Sequence, residues 1–450
     1  MIQTAHPIPA DSGPLASHGA DPLSGRFATP GDRAIAHRAL IVSALAVGHS
    51  TIEGLPDSAE VLATAAALRQ LGVRLEARDG AWHVYGLGVG GLLEPQGPLE
   101  LGLAGEGGPL LLGLLAPYPF STRCSGGPEL TSQPLLDALA RIGTTVTQGG
   151  GLTVTLHGPI MPLPLRHEMA AASATVKSAL LLAGAQMAGR TTIVEPVATS
   201  DHTEKLLADF GAAIAVHTDE AGGASIGVTG LAELQPRRVL VPGDPSAAAY
   251  ALVAALVVPG SDLTIENVLV NPARTGLIDT LLEMGGDIQF LNQHESQGEH
   301  VADLRVRSSR LKGIHVGAAH AAAMLDDIPA LAVAAAYAQG ETVIEGLGAL
   351  RAVGGDRLAA TAAGLAASKV TVTEGEDSLT IGGIGKVEGG GTVASRGDGA
   401  VAMSFLVLGL ASHKRVTLDD TSGIATSFPG FVAAMTAAGA RFEPVKGRLG

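Results

Sequence analysis

The chain has 450 residues, 46% of them hydrophobic and 16% charged, with a net charge of −14. That is enough apolar material for two or three packed domains and excludes a disordered chain, while the negative balance excludes nucleic acid as a partner, because phosphate contacts need a basic surface. The single cysteine, Cys124, excludes an internal disulfide, and the 14 histidines show no paired metal spacing, so no metal and no cofactor is expected.

Residues 1–21 are rich in Pro, His, Ser and Gly and read as a flexible tail, with neither the basic start nor the apolar core of a signal peptide. No uncharged apolar run reaches the roughly 18 residues of a membrane span. The expectation is a cytoplasmic protein that acts on a small molecule, away from membranes.

At Pro30 the chain reads PGDRAIAHRAL. Asp32 is an N-cap, and the helix it starts sets His37 one turn after Arg33 and Arg38 one turn after Ala34. Such a helix start suits an anion. The phrase returns at Pro242 as PGDPSAAAYAL, with Pro245 and Tyr250 where the first copy has Arg33 and Arg38.

Between and after these phrases a second unit recurs, an amphipathic helix that ends near a Gly and runs into an alternating strand. Its copies are LRQLGVRLEA at Leu68, LARIGTTVTQ at Leu139, LADFGAAIAV at Leu207 and LLEMGGDIQF at Leu281, with weaker ones at Leu365 and Met435. Glycine closes each helix in the left-handed conformation, and the alternation buries one face of each strand. AWHVYGLG and SLTIGGIG read as further hairpin strands. Long repeats with unlike sequence between them indicate duplicated folding units, three on either side of Pro242. The reading is two α/β domains, residues 22–31 with 243–450 and residues 32–242, with a cleft between them.

Eight stretches then carry a resemblance. They are PGDRAIAHRAL, ASATVKSALLLAG at Ala172, EPVATSDHTEKLL at Glu195, VPGDPSAAAYALVAAL at Val241, NVLVNPARTGL at Asn267, ADLRVRSSRLKGI at Ala302, DDIPALAVAAA at Asp326 and ATSFPGF at Ala425. Together they resemble the 5-enolpyruvylshikimate-3-phosphate synthase family (3-phosphoshikimate 1-carboxyvinyltransferase), especially its glyphosate-insensitive bacterial class. The resemblance implies a monomer of two inside-out α/β barrels, each of three similar units, closing on shikimate-3-phosphate and phosphoenolpyruvate. It implies no metal, with a carboxylate and a lysine moving protons and arginines holding the phosphates.

Several of the family's site residues differ here. Its Lys-Ser is Arg33 and Ala34, and its Asn-Ala-Gly/Ala-Thr loop with a following arginine is Leu103, Ala104, Gly105 and Glu106 with Pro109. Its next arginine is Gln133, its Ser-Ala-Gln is Ser173, Ala174 and Thr175, and its arginine before Asp-His-Thr-Glu is Ser200. Its Lys-Glu is Val353 and Gly354, and its His-Arg is Gly399 and Ala400 after Asp398. Arg38, Ser173, Asp326 and Arg357 match. Arg33 keeps a charge but gives up no proton near neutral pH.

Three lost arginines correspond to roughly 4 to 9 kcal/mol of charge-assisted hydrogen bonding. On that count the chain is expected to have stopped making 5-enolpyruvylshikimate-3-phosphate and to act on a different, less phosphorylated substrate. The alternatives are a non-catalytic relative that binds a metabolite or partner, and a true synthase of the shikimate pathway. The candidate catalytic residues are Asp326 and Glu106, and the candidate binding residues are Arg33, Arg38, Ser173, Thr175, Arg357 and Asp398. Glu106 also reads as a neutralising partner for Arg33 or Arg357, or as part of a helix start. Asp327 reads as a second carboxylate or a turn cap. His37 reads as a surface or hinge residue, Cys124 as buried and Lys177 as structural.

Overall fold

The computed structural model describes residues 13–101, 105–353 and 355–445, so Leu103, Ala104 and Gly354 lie outside the described residues. The chain divides into two compact units: residues 1–30, 243–294 and 300–450 in one, and residues 31–242 with 295–299 in the other. The second set includes the tip of the hairpin formed by Asp287–Ser296 and Glu299–Arg307, which the sequence reading placed with the other domain.

Each unit is built on three helices that are apolar all round and therefore buried. In the unit of residues 31–242 these are α1 (Arg33–Leu45), α2 (Gly107–Leu115) and α3 (Ala174–Gly184). In the other unit they are α4 (Pro245–Val257), α5 (Ile328–Tyr337) and α6 (Gly399–Gly409). Every residue of α2, α5 and α6 is buried. Six four-stranded sheets surround these helices, three per unit. The alternating burial of strand Ser378–Ile384 is the period-2 pattern of a sheet with one face on the helices and one in water. Helices inside and sheets outside make each unit an inside-out α/β barrel.

All six sheets share one plan, in which a short edge strand pairs in parallel with the strand that follows the buried helix. The Pro-Gly-Asp phrases explain how the plan closes. Strand Ser24–Ala28 precedes the first phrase yet pairs with Asp262–Leu269. Strand Arg238–Leu240 precedes the second phrase yet pairs with Val47–Glu53. Each crossing is tight: a Cβ on Gly31 would lie 2.0 Å from the Gly54 carbonyl oxygen, and one on Gly243 would lie 2.0 Å from Thr29 Oγ1. At Gly31 the obstacle is backbone, so no larger residue fits there, whereas at Gly243 it is a side-chain hydroxyl.

The tail expected over residues 1–21 is ordered in part. Leu15–Ser17 is a buried strand inserted between Val416–Leu418 and Phe442–Pro444. It holds the third place in that sheet, the place that the second strand of a hairpin takes in the other five.

The helix–glycine–strand repeats are present at all six positions. Positive φ follows the helix at Gly72, Gly143, Gly211, Gly285 and Gly439, and at Lys369 (φ 65°) in the fifth copy. The stretch Ala318–Tyr337 is long and apolar enough by composition to cross a bilayer. It is broken at Met324 (φ −144°), carries Asp326 and Asp327, and ends in the buried helix α5.

Candidate active site

Within each unit the buried helices set that unit's candidate residues at or near their N-terminal turns. An N-terminus leaves four backbone N–H groups without helical partners and carries partial positive charge. Three such ends side by side favour an anion before any side chain is counted.

In the unit of residues 31–242, Asp32 caps α1, its Oδ1 accepting the Ile35 amide at 2.9 Å, and Ser173 caps α3 through the Val176 amide at 3.3 Å. Glu106 stands at the start of α2 but makes no capping bond. Its carboxylate lies instead on Arg38, 2.8 Å from Nη1, and accepts a 3.5 Å contact from Thr175. Glu106 therefore neutralises Arg38, a partner that sequence spacing did not single out.

Arg38 is 1% exposed. Its Nε donates to Thr203 Oγ1 at 2.8 Å, its Nη2 to Ser178 Oγ at 3.0 Å, and its Nη1 also to the Ala34 carbonyl at 2.7 Å. The guanidinium is thus a tie between α1, α2, α3 and the helix His202–Asp209. Arg33 is the more open of the two arginines and pairs with Glu60 at 3.2 Å. Burial raises the Glu60 carboxyl above its usual range, with Arg33 pulling the other way.

His37 is buried, not at the surface, with Nδ1 2.8 Å from Thr64 Oγ1 and Nε2 without a partner among the described residues. Burial holds its imidazole down at about 4, so it is neutral at pH 7. A Cβ on Gly107 would lie 2.7 Å from the same ring, so the glycine at the start of α2 is what admits it. Below this layer Lys177 is also buried, its ammonium 3.1 Å from Glu195 and 2.8 Å from Glu204. Burial raises the Glu204 carboxyl.

In the other unit the three N-terminal positions are all aspartates. Asp244 Oδ1 accepts the Ser246 amide at 2.8 Å and faces Arg274 at 3.3 Å. Asp398 Oδ1 accepts the Ala400 and Val401 amides at 2.8 and 3.1 Å, while its Oδ2 receives Arg357 Nε at 2.7 Å. Arg357 also donates to Asp326 at 2.9 Å.

The two neighbouring aspartates before α5 separate by environment. The Asp326 side chain is 82% exposed. Asp327 is 7% exposed. Burial pushes the Asp327 carboxyl up to about 7, against a hydrogen bond with Ser246 and the nearby Arg274 guanidinium. Sequence reasoning passed over Asp327 in favour of Asp326, and only the helix register tells the inward carboxyl from the outward one.

One trio has metal-ligand chemistry, Asp201, His202 and Glu299, whose donor atoms lie within 4.8 Å of one another. The Lys205 ammonium is seated on it, 3.1 Å from Asp201 and 3.2 Å from Glu299, so a cation already occupies the carboxylates. Cys124 is buried in strand Ser121–Ser125, and burial pushes its thiol up to about 12.

A family profile described as EPSP synthase (3-phosphoshikimate 1-carboxyvinyltransferase) matches residues 17–435. The chain belongs to the EPSP synthase family. It is 50% identical over 446 residues to the 3-phosphoshikimate 1-carboxyvinyltransferase of Chelativorans sp. (strain BNC1), covering 97% of this chain and 99% of that one. It is 49% identical to the enzyme of the same name from Paramagnetospirillum magneticum, covering 96% and 98%. Among solved structures, an EPSP synthase from Acinetobacter baumannii superposes with a TM-score of 0.87 at 34% identity, covering 97% of this chain and all of that one.

These relatives overturn the expectation that the chain has left the EPSP synthase reaction for another substrate. Half of all positions agree with an enzyme of that name across the full length. The arithmetic behind the expectation summed lost arginines as independent contributions, which fails for groups sharing one site. It also left out the helix N-termini, which supply backbone donors whatever the side chains are.

Proposed function

We propose that the protein is a 3-phosphoshikimate 1-carboxyvinyltransferase, moving the carboxyvinyl group of phosphoenolpyruvate to a hydroxyl of shikimate-3-phosphate. The observation that carries this reading is end-to-end identity of about one residue in two with enzymes of that name. The helix N-termini of the unit of residues 31–242 support it, since both substrates are polyanions and backbone donors there stand beside Arg33 and Arg38.

Transfer adds the hydroxyl oxygen to the phosphoenolpyruvate double bond, its proton leaving and one reaching the methylene carbon, and then breaks the bond to phosphate as that carbon gives a proton back and the double bond re-forms, so a carboxylate must stand where solvent and substrate reach it. Asp326 has that exposure, and Arg357 holds it in place. Its role in this reading is proton transfer. Arg357 and Arg33 contact substrate anions, and Ser173, Thr175 and Asp398 shape the helix starts that face them. Glu106 pairs with Arg38 and fixes it, which makes both positioning residues. The roles come together in one test. Purified protein given both substrates should release inorganic phosphate, and Asp326→Ala should lower kcat by at least a hundredfold while leaving the fold intact. Wild-type protein that releases no phosphate would refute the reading.

A further inference from the structure

At the opposite end of α4 and α5 from Asp244 and Asp327 lies a groove of about 670 Å³, which is the size of a small-molecule site. The rise of 1.5 Å per residue puts it about 20 Å along α4 from that helix's capped start. It is therefore separate from the helix starts described above.

Its lining is mixed, with Val257 at the end of α4, Pro259 and Ile384 on the apolar side and Ser308, Ser309 and Gln339 on the polar side. Ile384 is 64% exposed and gives the groove an open apolar edge. No acidic residue lines the groove, although acids outnumber bases in the chain by 43 to 29. The one charged group in the lining is Arg310, which is exposed and makes no side-chain hydrogen bond or ion pair among the described residues. Exposed Lys312 and Lys386 adjoin the lining in sequence.

Helix C-termini normally repel anions. Here the ends are closed by backbone donors: the Ser309 amide donates to the Leu256 carbonyl at 2.9 Å, and the Gly385 amide to the Ala338 carbonyl at 3.0 Å. The Arg310 charge is left uncompensated beside apolar surface.

The geometry points to a second binding site here for a small amphipathic carboxylate, its apolar body on Val257, Pro259 and Ile384 and its carboxylate on the Arg310 guanidinium. A planar guanidinium fork takes a carboxylate through two parallel hydrogen bonds, which a compact ammonium does not.

The test uses 3-phenylpropionate as the probe and 3-phenylpropylamine, the same body with the opposite charge, as the control, both titrated calorimetrically into the full-length protein. The expected result is one site per chain for the acid, with affinity at least tenfold lower in Arg310→Ala and in Ile384→Glu, and with kcat/KM for carboxyvinyl transfer unchanged in both variants. Undiminished affinity in Arg310→Ala would overturn the proposal. So would equal binding of the amine, no binding of the acid into the millimolar range, or full displacement of the acid by phosphoenolpyruvate, which would place it at the reaction site. The kcat/KM and phosphoenolpyruvate readouts rest on the proposed activity, whereas the affinities of the acid and the amine and the effect of Arg310→Ala do not.

Discussion

Replacing Asp327 by asparagine should make the protein more stable, and increasingly so as the pH rises. In the fold this carboxyl is carried from 3.8 up to about 7 by burial. Between those values the folded state holds a proton that the unfolded chain releases. Stability from this group is therefore present below about pH 4 and lost as the pH climbs through about 7, where the carboxylate must ionise in the interior. Each tenfold change in the ionisation equilibrium is worth about 1.36 kcal/mol, so a rise of this size corresponds to roughly 4 kcal/mol. Asparagine has nearly the same shape and keeps an acceptor for the Ser246 bond, so the substitution removes the titration and little else. Urea unfolding of wild type and Asp327→Asn from pH 4 to pH 8 should give a stability difference that grows in favour of the variant by up to about 4 kcal/mol. A difference that stays flat across that range would show that Asp327 does not titrate there, and would refute the account of the α5 start as a neutral, buried carboxyl.

Other groups give expectations of different sign or origin. His37, held down at about 4 from 6.5, contributes stability above pH 6.5 that is lost as the pH falls through 4, on the order of 3 kcal/mol; His37→Gln should flatten acid unfolding in that window, and an unchanged acid limb would count against burial of the neutral ring. Lys177→Met should cost about 3 to 5 kcal/mol by stranding Glu195 and Glu204 in the interior, and adding Glu204→Gln should restore part of that, as a double-mutant cycle in denaturant would record. Lys369→Gly should raise stability by roughly 0.5 to 1 kcal/mol, since a left-handed helix end suits glycine, and a lower melting temperature would contradict the assignment of that turn.

Much of the architecture is written in local sequence, and particular residues show why. Gly72, Gly143, Gly211, Gly285 and Gly439 each occupy a turn that only positive φ allows, so the chemistry of one residue marks the helix end and the repeat. Asp32 and Asp244 mark helix starts for an equally local reason. What lies beyond reach depends on distant partners. Nothing near Leu15 in the chain announces that it will pair with Leu418 and Pro444. Arg38 reads as an open anion binder because Thr203, Ser178 and Glu106, which consume its donors, are far away in sequence. Asp326 and Asp327 are adjacent and alike, and the register of α5 alone turns one outward and one inward.

The same limit explains the discarded view of the reaction. Replaced residues such as Arg33 and Gln133 are visible in the sequence one at a time, whereas the grouping of three buried helix starts within one unit is a property of the fold. Family membership weighs all positions together, and at 50% identity over 446 residues it points to carboxyvinyl transfer.

The most direct measurement of that claim is a single assay of the purified full-length protein with shikimate-3-phosphate and phosphoenolpyruvate, following inorganic phosphate and the carboxyvinyl ether product together. Stoichiometric formation of both is the expected result, at a rate that collapses in Asp326→Ala. Folded protein that forms neither product at saturating substrate would contradict it.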